Sequence, residues 1–116
     1  MIAKMSEILR KAKLEAYGVP ALGAVDELTF RACLDAAEDM RSPLIILCMD
    51  KGNKDLDYFG RMVADLSVRA SVPVAAVLDH TATFESAIAG IRAGFTTVMA
   101  DRSQLPYDEN AAQVGE

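Results

Sequence analysis

At 116 residues, with 52% hydrophobic and 25% charged residues, the chain carries enough apolar material for one compact domain with its own core. A formal net charge of -5 and a pI near 4.8 leave no basic stripe for a phosphate backbone, which argues against a nucleic-acid partner. No apolar stretch approaches the ~20 residues that span a bilayer, and the stretch Met1 to Ser6 lacks a signal-peptide core, so no membrane partner is expected and a cytoplasmic location is.

Ser6 is placed to cap a first helix whose apolar positions Ile8, Leu9, Ala12 and Ala16 recur at helical spacing, with Gly18 closing it. Val19 to Ala24 reads as a short strand. Glu27 to Met40 returns to helix, with Leu28, Ala32, Leu34, Ala36 and Ala37 as inward candidates, until Arg41-Ser42-Pro43 breaks it. Leu44 to Met49 is an unbroken apolar run, the mark of a strand covered on both faces, and Asp50 to Asn53 follows as a polar loop. Leu56 to Ala70 is amphipathic through Phe59, Met62, Val63 and Leu66. The next strand starts near Val72, where Pro73 is tolerated, and ends at Asp79-His80. Thr83 caps a helix Phe84 to Ala93, Gly94 stops it, and Phe95 to Ala100 is a fourth strand; after the loop Asp101 to Leu105, Pro106 opens a last helix.

The chain is therefore expected to be α/β: a leading N-terminal helix, then four β-α units with about four strands of buried type in a parallel sheet. The strand ends near Val25, Asp50, Asp79 and Asp101 fall about one crossover unit apart and should emerge on one rim. No linker or low-complexity tract divides residues 1–116, which read as a single domain. Cys33 and Cys48 belong to no Cys-x-x-Cys motif and are expected to be buried, inert thiols, and Met40, Met49, Met62 and Met99 are expected to pack the core.

On that rim Asp79 and His80, the only histidine, leave the third strand, and Asp101 and Ser103 leave the fourth. If these strands are neighbours, the groups lie roughly 5 to 10 Å apart and could hold a divalent cation. Zinc takes four protein ligands in structural sites, or three plus water in catalytic ones, and this chain offers one imidazole. The competing reading is two loop-capping carboxylates and a half-exposed histidine. Arg92 and Arg102 are candidates for a phosphate, or are solvated or paired with nearby acids.

Several segments carry a family resemblance. Lys11-Ala12-Lys13, Tyr17-Gly18-Val19, Ala36-Ala37-Glu38-Asp39-Met40-Arg41-Ser42-Pro43-Leu44-Ile45-Ile46, Val72-Pro73-Val74, Leu78-Asp79-His80, Ile91-Arg92-Ala93-Gly94-Phe95 and Asp101-Arg102-Ser103 with Leu105-Pro106-Tyr107-Asp108-Glu109-Asn110 together resemble class II fructose-bisphosphate aldolases. The resemblance implies parallel (β/α) units of a TIM barrel, of which about the first half is present, with the active site on the carboxyl rim. It implies that Asp79 is the catalytic acid/base, His80 the first zinc-binding histidine and Asp101 a carboxylate of a second metal position. Zinc is the implied cofactor and a sugar phosphate the implied substrate.

The chain departs from the family pattern at Leu22-Gly23-Ala24-Val25-Asp26, at Asp50, at Thr81 in place of a glycine and at Arg102 in place of a small residue. Two further zinc-binding histidines, an acidic residue and glycine-rich phosphate loops have no counterpart, so the implied zinc site is incomplete and the chain is expected to be inactive alone. Residues 110–116 read as the start of an interrupted helix, which suggests a truncated half-barrel. The first and fourth strands should then be open edges through which the chain forms a homo-oligomer or pairs with a full-length aldolase subunit. An open doubly wound domain holding a small anion is a weaker reading, and the absence of a Gly-x-Gly-x-x-Gly turn argues against its dinucleotide form.

Overall fold

The computed structural model describes residues 1–49 and 55–115; the expected polar loop from Asp50 to Asn53 lies outside the described residues. The centre is a pair of parallel strands, β2 (Leu44–Met49) and β3 (Val74–Thr81), flanked by β1 (Ala21–Gly23) and β4 (Thr97–Ala100), in the order β1-β2-β3-β4 with every pairing parallel. Alternation along β2 and β3 sorts their side chains between two apolar clusters. Leu44, Ile46, Cys48, Val74, Ala76 and Leu78 pack with Phe30 and Leu34 of α2 (Glu27–Asp39), Phe59, Val63 and Leu66 of α3 (Leu56–Arg69), and Ala93 of α4 (Phe84–Ala93). Ile45, Ala75 and Val77 form a second cluster with Ile8 of α1 (Met5–Glu15). Both faces of the central strands are thus covered, which is why they read as unbroken apolar runs.

The middle of the chain folds as its pattern implies. Thr83 caps α4 by accepting from the Ser86 amide at 3.0 Å, and Gly94 ends it in the left-handed region at φ 108°. Pro73 sits just before β3, where its missing amide costs no ladder bond while its carbonyl accepts from Leu44 at 2.9 Å. The Leu56–Arg69 helix buries Phe59, Val63 and Leu66, as the spacing predicts, and Met62 packs partly against the same cluster.

The ends of the sheet differ from expectation. β1 spans three residues rather than Val19 to Ala24 and is exposed throughout, and β4 begins at Thr97 and is half-buried to exposed. Each pairs on one side only, so neither is the buried strand type the sequence suggested. The same openness exposes Met49 and Met99, and Met40 is 77% exposed at the C-cap of α2, so of the four methionines expected in the core only Met62 packs against it.

Two helices also differ in register from the sequence expectation. Lys4, not Ser6, is the N-cap of α1, and Ala16, not Gly18, takes the left-handed C-cap at φ 55°. Leu9 and Ala16 are exposed, because α1 meets the sheet along the narrow stripe of Ile8 and Ala12. In α2 the Asp26 cap, accepting from Thr29 at 2.8 Å, sets a register in which Phe30, Cys33, Leu34 and Ala37 face inward. Leu28, Ala32 and Ala36 point to solvent instead. Cys48 is fully buried, and burial, followed by the charge of Asp79, pushes its thiol up to about 12; Cys33 is only half-buried.

Candidate functional site

The site is built where β3 runs out. Leu78 pairs with Val98, but the next pairing joins Thr81 to Ala100, so β3 carries one more residue than β4 across the same interval. That extra residue makes a bulge, and His80 absorbs it in the left-handed region at φ 55°. Asp79 keeps the parity of Ala75 and Val77, and the bulge takes His80 out of strict alternation. Thr81 returns to the interior, fully buried, and its hydroxyl donates to the Met99 carbonyl at 2.7 Å.

Across the gap, the Asp101 amide donates to the Thr81 carbonyl at 2.9 Å, which brings the Asp101 side chain beside the histidine. Asp101 Oδ2 lies 2.6 Å from His80 Nδ1, and Asp79 Oδ2 lies 3.8 Å from His80 Nε2. These are tighter than the roughly 5 to 10 Å spacing inferred from strand geometry, because the bulge turns the imidazole toward β4. An ionised carboxylate only accepts, so a neutral His80 ring bonded to Asp101 carries its proton on Nδ1. The bond to His80, followed by two from Ser103, holds the Asp101 carboxyl well below the usual carboxylate range.

Met49, Asp79, His80, Ala82, Asp101 and Gln104 line an open concavity of about 380 Å³. Asp79 and Asp101 are mostly shielded, with side chains 17% and 24% exposed, while His80 is 51% exposed. The three sequence candidates therefore share one mouth. Asp50 lies outside the described residues, and Arg92 sits on α4 in a separate groove with Asp57, Phe84 and Glu85. Arg102 is buried rather than solvated or paired with an acid, and its guanidinium bonds Thr81, Asp101 and Gln113. Met49 was expected in the core and instead closes β2 at the rim, while Ala82, directly after β3, and Gln104, in the loop after β4, were not singled out by the sequence.

A catalytic zinc ion needs three protein ligands and an open position. The described residues contain no group of three or more His, Cys, Asp or Glu side chains able to hold a metal, and the chain has a single histidine. The residues present thus do not fit a complete zinc site; they supply one imidazole and two neighbouring carboxylates.

A four-stranded parallel sheet built from strand-helix crossovers, with an acid-imidazole cluster at its carboxyl edge, is the arrangement of half of a (β/α) barrel. Residues 3–116 match the family described as "Fructose-bisphosphate aldolase class-II". The chain is 41% identical over 117 aligned positions to a fructose-bisphosphate aldolase of Thermus caldophilus, covering 97% of this chain and 37% of that protein. It is 37% identical to a probable fructose-bisphosphate aldolase of Bacillus subtilis, covering 96% of this chain and 41% of the relative. The crystal structure of the YdjI aldolase from Escherichia coli K12 superposes with a TM-score of 0.91 at 25% identity, over 97% of this chain and 44% of that one. The chain belongs to the class II fructose-bisphosphate aldolase family, and it spans less than half the length of these relatives.

Proposed function

We propose that residues 1–116 are a half-barrel domain forming the N-terminal portion of a zinc-dependent aldolase that reversibly cleaves a ketose bisphosphate into dihydroxyacetone phosphate and glyceraldehyde 3-phosphate. The observation that carries the reading is the convergence of Asp79, His80 and Asp101 on one mouth at the carboxyl edge of a parallel sheet. In this reading Asp79, facing the mouth from β3, exchanges a proton with the substrate oxygen as the carbon-carbon bond breaks or forms. His80 supplies one metal-binding imidazole, with Asp101 fixing its ring and offering a carboxylate to a second metal position. Further ligands and the phosphate-binding loops come from the rest of a barrel, so the chain is inactive alone. No helix among the described residues is long and apolar enough to cross a membrane.

The test is a chimaera joining residues 1–116 to the portion of the Thermus caldophilus aldolase that this chain does not match, assayed for cleavage of fructose bisphosphate with zinc present. Activity is expected in the chimaera and absent from the isolated chain, and Asp79→Asn or His80→Ala should each lower it by about 10²-fold or more. A folded chimaera indifferent to both substitutions would remove the assignment. A second reading, a non-catalytic half-barrel that pairs with itself or with a full-length aldolase subunit, is favoured by the free outer edges of β1 and β4.

A further inference from the structure

Arg102 is 8% exposed, although a guanidinium is costly to bury unless its N–H groups find acceptors. Here they do. Nη1 donates to the Thr81 carbonyl at 3.0 Å and to the Asp101 carbonyl at 3.2 Å, and Nε donates to Gln113 Oε1 at 3.0 Å. No ion pair among the described residues involves Arg102, so the cation is held by two main-chain oxygens and an amide.

The placement of those oxygens is what matters. Thr81 ends the bulged segment that carries His80, and Asp101 carries the carboxylate that meets it. The bulge removes regular β3–β4 pairing between Leu78 and Thr81, just where the two side chains must be held in register. One guanidinium nitrogen bridges the two strand ends on the far side of that gap. We propose that Arg102 is a positioning residue, whose bridge between the Thr81 and Asp101 carbonyls sets the geometry in which Asp101 grips Nδ1 of His80. Gln113, on α5 (Tyr107–Val114), steadies the guanidinium from a helix that buries no residue of its own. The inference concerns ring orientation alone and stands whether or not the mouth serves an aldolase.

His80 is the chain's only histidine, so ¹⁵N NMR of the full chain shows one imidazole. The spectrum is taken with chelator present and at alkaline pH, and the tautomer is read from the shifts of the two ring nitrogens. The parent should show the Nδ1–H form in excess. Arg102→Ala should lose that excess while amide dispersion reports a folded chain, Arg102→Lys should restore part of it, and Gln113→Ala should leave it nearly intact. A folded Arg102→Ala with the parental ring signals overturns the proposal. If Arg102→Ala does not fold, Arg102→Met decides: it keeps much of the volume but has no N–H to give either carbonyl, so parental signals in it overturn the proposal and their loss supports it. Failure of both to fold also overturns it, because Arg102 would then be a determinant of the fold rather than of the site.

Discussion

At the scale of single residues, the carboxylates carry the clearest consequence. Asp101 is held below its usual range first by His80, Asp26 by the Thr29 amide and Glu38 by the Ser71 amide, which donates at 2.5 Å. A carboxyl with a depressed folded pKa binds fewer protons in the native chain than in the unfolded one. Its contribution is complete above the unfolded values of 3.8 for Asp and 4.5 for Glu, and is lost as pH falls through the lower folded values. In urea unfolding the midpoint difference between the parent and Glu38→Gln should therefore be constant from pH 7 to about 5 and shrink steadily below about 4.5. A difference independent of pH down to about 3 would mean that the Glu38 bond does not persist in solution. The same scale shows where the sequence misled. For Arg102 the sequence leaves a phosphate, solvent or a nearby acid open, but its partners are two carbonyls and an amide brought together only by folding, and no local pattern announces such acceptors.

At the scale of elements, the contact between α3 and α4 is set by a missing side chain. A Cβ on Gly60 would lie 2.4 Å from the Ala93 carbonyl oxygen and 2.7 Å from the Ala93 Cβ, so the helices approach as closely as they do because residue 60 has none. Backbone atoms cannot step aside. Gly60→Ala should lose about 2 kcal/mol despite the better helix propensity of alanine. At Gly90 the intruding atom would be Leu78 Cδ2, the end of a flexible side chain, so Gly90→Ala should cost distinctly less. Chemical denaturation of the two variants beside the parent checks the ranking, and equal losses would show that the helices separate freely. Element type and order were legible throughout, because caps such as Asp26 and Thr83 and stops such as Gly94 act within a few residues of themselves. Helix facing was less so: the expected inward set of α2 mixed Leu34 and Ala37 with exposed Leu28, and passed over Phe30. Alanines and leucines on more than one face blur a 3.6-residue period, and only contact with β2 selects the buried stripe.

At the scale of the whole molecule, the sheet stays open. The Cα radius of gyration is 14.6 Å, against about 13 Å for a compact domain of this length, and the shortest extent is 18 Å. The edge strands are short, which limits the free edge, but they carry no charged or proline blocker. Ala21-Leu22-Gly23 and Thr97-Val98-Met99-Ala100 contain no charge or proline, and Leu22 and Met99 are exposed. Sedimentation equilibrium of the 12.5 kDa chain at tens of micromolar should accordingly show a dimer or larger species dissociating on dilution. A folded monomer across that range would reject self-association and leave the aldolase portion as the surviving reading.

The sequence by itself determined the parallel α/β architecture, the order of the elements and the candidate acids and histidine, because apolar runs, caps and stops are local signals. Tertiary structure decided the rest. The slip in register between β3 and β4, the left-handed turn at His80, the 2.6 Å grip of Asp101 and the burial of Arg102 depend on how two strands twenty residues apart align. That alignment is set by packing against α3 and α4, which no single segment encodes.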